Sequence, residues 1–517
     1  MMPTTLADII RAGAASHPDR VAIAADERSV TYVGLHERSN RAAGVLAGLG
    51  IGRGDRVAFL SMNRIEYYEL MFGAAKLGAA TVPVNWRLAP GEVAGILSDA
   101  QPELLLVEHD LLHLVGDAHT ERLGDRLLTV GSGDDGPRDW GTLVDAGPDV
   151  DPNADVAPDD VMWQLYTSGT TGKPKGVMLM HRNLIDMIDG LADQWHFEPG
   201  CVVYVPYPSF HAVGTAWPVI TMHRGGTVLL RRSFDPVDFV RKVESERVTL
   251  TMMVPAVLNM VLSEPEARER DLSSLRHIVY GASPISQAVL NTSIELMPGC
   301  AFHHAYGLTE CTGTVTTMQW DEHRPGTERM KSCGRPMPWV EMKVVDPSTG
   351  DEVEPRTVGE VWTRSPSVMK GYYDAPEATA AAVSDGWLHT GDAGFLDEDG
   401  YLYLTDRVTD MIISGGENIY PAEVENVLYS HPDIREAAVV GIPDDRWGEV
   451  VFAVVVTSDD SGLEPDAVIA YCREHLGRYK CPSRVVVRSE PLPLNPTGKV
   501  LRRELRTQYI DPSSGGN

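Results

Sequence analysis

Residues 166–176 read Tyr-Thr-Ser-Gly-Thr-Thr-Gly-Lys-Pro-Lys-Gly, which places four aliphatic hydroxyls, three glycines and two lysines between two apolar stretches. The stretches at 161–167 and 176–180 predict two strands joined by this loop. Glycines let backbone N–H groups converge on an anion, hydroxyls donate further hydrogen bonds, and lysine adds positive charge. The P-loop pattern of kinases and ATPases is absent from this stretch, because Pro174 follows Lys173 where Ser or Thr would be required. The sequence therefore predicts a phosphate-binding hairpin of another kind.

Strands and helices alternate on the amino-terminal side of this hairpin. Thr31 is a candidate N-cap for a helix that Gly50 ends, and residues 56–60 predict a buried strand. Asn63 is a candidate N-cap for a second helix, and residues 79–84 predict another strand. Strands and helices in this order favour a parallel sheet with crossover helices.

Four further segments complete the predicted organisation. Residues 130–160 are rich in Asp, Pro and Gly and predict a surface connection, and prolines within 199–223 favour a buried strand and loop over a membrane helix. Short strands and turns follow over 340–406, and the last hundred residues predict a small α/β unit. We therefore predict an α/β protein with a large amino-terminal domain of parallel sheets, helices and a small β-rich subdomain. A small carboxyl-terminal α+β domain follows.

Composition excludes several classes of protein. The 517 residues carry 45 basic and 73 acidic side chains, so the net charge of −28 disfavours nucleic acid and anionic lipid as partners. Six cysteines are scattered without a C-x-x-C pair, which indicates reduced thiols rather than disulfides or a zinc site. The first twenty residues contain no long apolar run, so we expect no signal peptide, no transmembrane segment and a cytoplasmic location. A homo-oligomer is compatible with these features.

Six motifs resemble, in order, those of the adenylate-forming superfamily, which includes acyl-CoA synthetases (fatty-acid–CoA ligases), peptide-synthetase adenylation domains and beetle luciferases. They span nearly the whole chain. Besides the hairpin they are the residues 306–310 (YGLTE), 386–392 (GWLHTGD), 406–407 (DR), 414–423 (SGGENIYPAE) and 495–499 (NPTGK). The resemblance implies an amino-terminal adenylation domain at 1–406, a hinge at 407–410 and a mobile carboxyl-terminal domain at 411–517.

The resemblance implies a ligase that consumes ATP with Mg²⁺ and forms AMP. A carboxylate attacks the α-phosphorus of ATP to give an acyl-adenylate and pyrophosphate, and a thiol, usually that of coenzyme A, then displaces AMP. Lys499 would bridge the two reacting anions, Thr309 would contact the α-phosphate and Glu310 would hold Mg²⁺. His211 would lie at the mouth of the acyl pocket as a positioning residue, and a packed core histidine is the alternative.

The remaining implied roles concern nucleotide and coenzyme A. The hairpin would hold the β- and γ-phosphates through Thr167, Ser168, Gly169, Thr170, Thr171, Gly172 and Lys175. The adenine would lie on Tyr306 beside Gly281, Ala282, Ser283, His304 and Ala305, and the ribose would contact Asp392 and Arg407. The glycine motif with Gly415, Gly416 and Asn418 would border the path of the pantetheine arm.

Three positions depart from the common pattern of the superfamily. Thr409 stands where Lys or Asp is frequent in the hinge, Ala305 replaces a frequent glycine, and His304 replaces a common glutamine. With Thr409, the charged contacts of the hinge are undetermined. Ala305 would reduce the space in the acyl pocket, and His304 puts a hydrogen bond near the adenine or the carboxylate in question.

We therefore predict an AMP-forming acyl-CoA synthetase that activates a hydrophobic acid in fatty-acid or lipid metabolism. The acid itself stays open among fatty, aryl and sterol-derived cyclic acids. The alternatives are an acyl-AMP ligase that loads a carrier-protein thiol and a non-catalytic sensor of acyl groups or nucleotides. The short polar stretch after Lys499 contains no carrier domain, which favours free coenzyme A.

Overall fold

The computed structural model describes residues 3–26, 28–131, 138–167, 174–281, 285, 287–323, 327–407, 410–414, 417–419, 421–444, 447–457, 462–494 and 500–510. The chain forms two compact units. The first comprises Met1–Met342, Thr363–His389 and Gly400–Leu402, and the second comprises Lys343–Trp362, Thr390–Asp399 and Tyr403–Asn517. The predicted domain boundaries and the hinge at 407–410 stay predictions.

The strands are numbered here in chain order. Those up to residue 336 are β1 (Val21–Ala25), β2 (Arg28–Thr31), β3 (Arg56–Leu60), β4 (Ala80–Pro83), β5 (Leu104–Glu108), β6 (Leu127–Val130), β7 (Val161–Thr167), β8 (Lys175–Met180), β9 (Val202–Val205), β10 (Thr227–Leu230), β11 (Leu250–Met253), β12 (His277–Gly281), β13 (Ala301–Tyr306), β14 (Thr316–Met318) and β15 (Arg335–Pro336). The later strands are β16 (Glu341–Val345), β17 (Gly359–Arg364), β18 (Gly371–Tyr372), β19 (Val383–Ser384), β20 (Trp387–Leu396), β21 (Leu402–Arg407), β22 (Ile412–Ser414), β23 (Glu417–Ile419), β24 (Ile434–Asp444), β25 (Gly448–Thr457) and β26 (Arg484–Arg488).

The α-helices in the described residues are likewise numbered in chain order. They are α1 (Leu6–Ser16), α2 (Tyr32–Gly48), α3 (Ile65–Leu77), α4 (Pro90–Ala100), α5 (Asp117–Leu123), α6 (Trp140–Ala146), α7 (His181–Ile185), α8 (Ile188–Gln194), α9 (Ala212–His223), α10 (Pro236–Glu246), α11 (Pro255–Ser263), α12 (Gln287–Leu296), α13 (Pro376–Ala382), α14 (Pro421–Tyr429), α15 (Pro465–His475) and α16 (Arg502–Ile510).

Two large sheets organise the first unit. One has the strand order β15-β14-β13-β12-β11-β9-β10-β1-β2, and the other has the order β18-β8-β7-β4-β3-β5-β6. The central strands are parallel in both sheets. Antiparallel strands lie at both ends of the first order and at the β18 end of the second. Residues of both sheets share one apolar core with α1, α2, α3 and α9. The predicted α/β architecture with parallel sheets and crossover helices is confirmed.

The second unit has its own core. Its carboxyl-terminal sheet has the order β23-β22-β25-β24, with β26 beside β25. Val424 and Leu428 of α14 and Val468 and Cys472 of α15 are buried in a cluster with residues of this sheet. Strands β16, β17, β20 and β21, most of whose residues belong to this unit, lie in a further small sheet with β19. The predicted switch to short strands over 340–406 is therefore confirmed.

Local capping follows the sequence at one predicted helix start and departs from it at another. The hydroxyl of Thr31 accepts a hydrogen bond from the Gly34 N–H (3.2 Å), as expected of an N-cap. Asn63 does not cap α3, whose N-cap is Arg64. Its side-chain amide instead donates to the carbonyls of Tyr207 (2.8 Å) and Arg231 (2.9 Å), so Asn63 joins distant loops.

Two of the predicted irregular segments contain helices. Within 130–160, α6 begins at Trp140, whose fully buried indole donates to Glu69 (3.0 Å), so this part is not a surface connection. Within 199–223, β9 is the predicted buried strand, but the expected loop includes α9, which contains Pro218. The helix forms despite its proline because residues 214–222 are buried, and packing outweighs propensity. Among the described residues, no helix combines the length and apolar character that a membrane crossing requires.

All six cysteines are free thiols and all are buried, which confirms the expectation of no disulfides. Burial raises the pKa of Cys201 to about 12 and that of Cys472 to about 11, and it also raises the pKa of Cys311. These thiols are therefore protonated at neutral pH.

Helix α3 buries a lysine. Lys76 is 0% exposed, and its ammonium donates to Ser39 Oγ (2.7 Å) and Asn40 Oδ1 (2.5 Å). Burial lowers the pKa of Lys76 to about 7, although the carboxylate of Asp151 at 3.9 Å opposes this shift. The unfolded chain, with a lysine pKa of about 10.4, therefore holds more protons than the folded chain between these two values.

We expect Lys76→Met to remove a pH dependence of stability. Because the unfolded state binds the extra proton, the free energy of unfolding of the natural chain should rise relative to the variant between pH 7 and 10. The slope is at most about 1.4 kcal/mol per pH unit. Urea unfolding across this range measures the difference, with Lys242→Met on the surface of α10 as the matched control. If the difference in free energy of unfolding between the natural chain and Lys76→Met does not change with pH, the lowered pKa of Lys76 is contradicted.

Candidate active site

The two strands of the predicted hairpin are present, and its phosphate-binding role stays a prediction. Strands β7 and β8 are antiparallel, and Thr167 pairs with Lys175 at the end of the pair that the loop connects. Both residues are half-buried. The other predicted phosphate ligands of the loop, Ser168, Gly169, Thr170, Thr171 and Gly172, lie outside the described residues. The structure therefore defines the positions of Thr167 and Lys175, the two strand residues that the loop connects.

Strand β18 brings a tyrosine to this hairpin. Tyr372 pairs with Val177 of β8. Because side chains two positions apart share one face of a strand, Tyr372 lies on the face that carries Lys175. The Lys175 ammonium is 4.8 Å from the centre of the Tyr372 ring, a cation–π contact. The Tyr372 hydroxyl donates to Glu310 Oε1 (3.0 Å). Tyr372 therefore connects the proposed phosphate ligand with the proposed metal ligand.

Backbone contacts hold the segment of Glu310 against β18 and its flanking residues. Thr309 and Glu310 lie in a single 3-10 turn directly after β13, and both are half-buried. The Glu310 carbonyl accepts from the Met369 N–H (2.8 Å), and the Thr312 hydroxyl donates to the Ser367 carbonyl (2.9 Å). These bonds set the position of the Glu310 carboxylate relative to the hairpin.

The proposed adenine-binding residues lie at the carboxyl ends of β12 and β13. Gly281 pairs with Ala305 across the two parallel strands, and a Cβ at Gly281 would lie 2.2 Å from the Ala305 carbonyl oxygen, so only glycine fits. Tyr306, the last residue of β13, is half-buried. Ligands of open parallel sheets bind outside the carboxyl ends of the strands. Ala282 and Ser283 lie outside the described residues.

His304 stands where a glutamine is common in the superfamily, and the structure shows where its hydrogen bond goes. Its ring stacks on Tyr280 (centroids 4.8 Å apart), and its Nδ1 lies 3.0 Å from the Ser332 carbonyl. Burial lowers the pKa of His304 to about 4, so the ring is neutral and donates from Nδ1 to that carbonyl. Its hydrogen bond thus goes to the protein backbone.

His211 precedes α9, at the end of the turn that follows β9. The residue is exposed and packs against the Phe210 ring (centroids 4.6 Å apart). Desolvation nevertheless lowers the pKa of His211 to about 4, with a smaller contribution from the positive charge of Arg87. Because the residue is exposed, the structure disfavours a packed core histidine.

The remaining predicted residues belong to the second unit. Asp392 is 7% exposed in β20, and its N–H donates to the Thr390 hydroxyl (3.1 Å). Arg407 ends β21 and Asn418 lies in β23, and the side chains of both are outside the described set. Gly415, Gly416, Thr409 and Lys499 lie outside the described residues altogether.

Tyr372 is not among the site residues that the sequence predicts. Its signal is the Gly-Tyr-Tyr at 371–373, which follows no chemical pattern on its own. Its importance depends on the pairing of β18 with β8, which joins positions almost two hundred residues apart. That long-range pairing has no local signature.

Comparisons with known proteins agree with this geometry. Residues 10–373 match the AMP-binding enzyme family, and residues 423–499 match the AMP-binding enzyme C-terminal domain. The chain therefore belongs to the AMP-binding enzyme family. It is an AMP-forming acid–thiol ligase, and the predicted membership of the adenylate-forming superfamily is confirmed.

Individual relatives cover nearly the whole chain. A fatty acid–[acyl-carrier-protein] ligase of Streptomyces coeruleorubidus is 40% identical over 96% of this chain and 95% of its own length. A feruloyl-CoA synthase of an Amycolatopsis species is 38% identical over 95% and 96%. The crystal structure of ATP-bound MatB from Rhodopseudomonas palustris superimposes with a TM-score of 0.87 at 29% identity, covering 98% of this chain and 99% of that one.

We expect Tyr372→Phe to lower the rate of adenylate formation by roughly tenfold to a hundredfold. The variant keeps the ring beside Lys175 but removes the hydrogen bond to Glu310, and a hydrogen bond to a charged group contributes about 1.5–3 kcal/mol at most. Acid-dependent pyrophosphate release measures the rate. Tyr372→Leu, which also removes the cation–π contact, should lose more.

Tyr373→Phe is the matched control for this series. The Tyr373 ring lies under the guanidinium of Arg56 (4.9 Å), away from Glu310. Equal rates for the natural chain and Tyr372→Phe would show that the hydroxyl does not support Glu310.

Proposed function

We propose that the chain activates a hydrophobic carboxylic acid with ATP and transfers the acyl group to the thiol of coenzyme A. The observation that carries this proposal is the contact series from Lys175 through Tyr372 to Glu310, at the loop end of a Gly/Thr-rich hairpin. It places one cation and one carboxylate beside a loop whose composition suits phosphate. Such a pair suits a reaction in which two anions must be brought together.

In the first step a carboxylate oxygen attacks the α-phosphorus of ATP. The bond from that phosphorus to the bridging oxygen breaks, and pyrophosphate leaves with the electron pair. Lys175 and the hairpin hydroxyls would stabilise the charge that develops on the leaving pyrophosphate. The attacking acid is already ionised at neutral pH, so no general base is required.

The residues at the hairpin also fit a magnesium ion. Mg²⁺ prefers hard oxygen ligands and usually binds through one or two carboxylates together with substrate phosphates. The half-buried Glu310 offers such a carboxylate, oriented by Tyr372, and it forms no ion pair within the part of the chain that the structure describes. We therefore assign Glu310 as the metal ligand. When bound, the ion neutralises phosphate charge.

Residues from several of the six motifs would bind the nucleotide together. Tyr306 and the backbone at Gly281 support the adenine, Thr309 contacts the α-phosphate, and Asp392 and Arg407 contact the ribose. For Asp392, the buried position and the bond from its own N–H to Thr390 support a carboxylate of fixed orientation.

In the second step the thiol attacks the acyl carbon, and AMP leaves with the electron pair of the acyl–oxygen bond. We propose that Lys499 serves the first step and is withdrawn for the second by rotation at residues 407–410. The glycine motif at 415–416 then borders the entry path of the thiol. Rotations of this kind often limit turnover.

The acyl pocket supports a hydrophobic acid. Its proposed wall contains small or apolar residues and one neutral imidazole, namely Val213, Gly214, Gly281, Ala305, Gly313, Thr314 and His211. A Cβ at Gly214 would lie 2.0 Å from the Pro208 carbonyl oxygen, so the start of α9 packs directly on the preceding turn. The relatives act on fatty acids and on ferulate, according to their names.

A carrier-protein thiol is the second candidate acceptor. It is favoured by the relative from Streptomyces coeruleorubidus, which is named for transfer to an acyl carrier protein. Both acceptors present the same pantetheine thiol, so the first half-reaction does not distinguish them.

We expect Lys499→Ala to separate the two half-reactions. Acid-dependent pyrophosphate release should fall by at least about a hundredfold, because a cation that touches both anions is removed. Preformed acyl-adenylate should still give thioester at the natural rate. Lys480→Ala, which removes a salt bridge to Glu423, is the matched control. Equal loss in both half-reactions would contradict the proposed division.

A panel of acids and acceptors tests the substrate assignment. Medium-chain and long-chain fatty acids, ferulate and a cyclic propionate are each assayed for pyrophosphate release, and thioester is then measured with coenzyme A or with phosphopantetheinylated carrier protein. We expect a hydrophobic acid and coenzyme A to give the highest kcat/KM. A preference of tenfold or more for the carrier protein would establish the second candidate. Background release with every acid would favour a non-catalytic sensor.

A further inference from the structure

Three histidines meet at a place that the proposed reaction does not use. We call His196, His277 and His303 the triple-histidine cluster. His277 begins β12 and His303 is the third residue of β13, so both lie toward the amino ends of strands whose carboxyl ends carry Gly281 and Ala305. His277 lies four positions, about 13 Å, before Gly281, and His303 lies two positions, about 7 Å, before Ala305. The cluster therefore consists of side chains to which the proposed reaction gives no role.

Helix α8 supplies the third ring. The helix ends at Gln194, and His196 follows with φ 55°, in the left-handed conformation that closes helices. The His196 N–H donates to the Asp193 carbonyl (3.2 Å), and the Phe197 N–H donates to the Ala192 carbonyl (2.8 Å). This turn holds the imidazole of His196 against His277, with ring centroids 4.3 Å apart.

The three rings offer nitrogen atoms at ligand spacing. His277 Nδ1 and His303 Nε2 are 3.1 Å apart, and one nitrogen of each ring lies within 4.8 Å of the others. Two nitrogens bound to one tetrahedral Zn²⁺ at 2.0–2.1 Å lie roughly 3.3 Å apart. The closest pair therefore already has this spacing, and rotation of the half-buried His196 would bring the third nitrogen to it.

The charge state of the cluster suits a metal. Burial lowers the pKa of His277 to about 4 and that of His303 to about 3, and repulsion from the neighbouring imidazoles adds to both shifts. The rings of His277 and His303 are therefore neutral at pH 7, which is the form that binds metal ions.

The buried ring has an unused nitrogen. His303 is 0% exposed, and its Nδ1 has no hydrogen-bond partner by geometry among the described residues. The nearby Gln319 amide directs its own hydrogen bonds to the backbone and side chain of Gln194. The His303 nitrogen that faces His277 is therefore Nε2, and this is the atom that would bind a metal.

We propose that the triple-histidine cluster binds one Zn²⁺ ion, with water as the fourth ligand. Three imidazoles without a carboxylate favour a borderline transition metal and disfavour Mg²⁺ and Ca²⁺. The ion would join the end of α8 to the amino ends of β12 and β13, which is a stabilising role.

Cobalt provides a direct spectroscopic test. The full-length chain is stripped with a chelator, dialysed and titrated with Co²⁺, whose tetrahedral complexes absorb strongly in the visible range. We expect one Co²⁺ per chain, a visible band that Zn²⁺ abolishes, and a rise of Tm with added Zn²⁺. No visible band and no Zn²⁺ binding by equilibrium dialysis would show that the cluster is only an imidazole hydrogen-bond network.

Variants locate the ion. His196→Gln and His277→Gln should each weaken binding by at least about tenfold, since loss even of an outer-shell partner costs this much. His109→Gln, on an exposed 3-10 turn, is the matched control and should bind like the natural chain. Circular dichroism of the metal-free variants checks folding. Because His196 lies in a turn after α8 and is only half-buried, His196→Gln stays informative if His277→Gln does not fold. Binding by His196→Gln that equals the natural chain would overturn the proposal.

Discussion

The candidate site depends on the two contacts of one tyrosine, Tyr372: its ring contacts a cation, and its hydroxyl contacts a carboxylate. Lys175 lies against the face of Tyr372, and the hydroxyl of the same ring holds Glu310. The arrangement requires the register in which Tyr372 pairs with Val177. A slip of one residue would turn Tyr372 to the other face of the sheet and separate both contacts. The hydrogen bonds of residues 367–373 to β8 and to the segment after β13 therefore hold both contacts of Tyr372 in place.

Much of this site could be predicted from the sequence because its motifs are local. The strand, loop and strand around residues 161–180 have turn chemistry and apolar flanks that need no distant partner. Gly281 and Tyr306 lie at the carboxyl ends of parallel strands, where alternation of strands and helices leads one to expect a ligand. The roles of the individual side chains came from the resemblance, and all of them stay predictions.

The features that were not predicted depend on contacts between distant segments. Asn63 has the residue type of an N-cap, but two carbonyls more than a hundred residues away provide its hydrogen bonds. Pro218 marks a helix break in the sequence, yet burial of the surrounding residues keeps α9 intact. Histidines 196, 277 and 303 are too far apart in the sequence to form a metal-binding motif, and only the parallel pairing of β12 with β13 brings the last two together. Each case is one in which tertiary packing outweighs local propensity.

The burial of all six cysteines has a chemical consequence for an enzyme that makes acyl-adenylates. Such a mixed anhydride reacts with any thiolate that reaches it, including one from the protein itself. Cys311 directly follows Glu310 in the chain, but it is 1% exposed and burial raises its pKa, so neither access nor ionisation favours attack. The fold thus protects the enzyme from acylating itself and leaves the incoming substrate thiol without internal competitors.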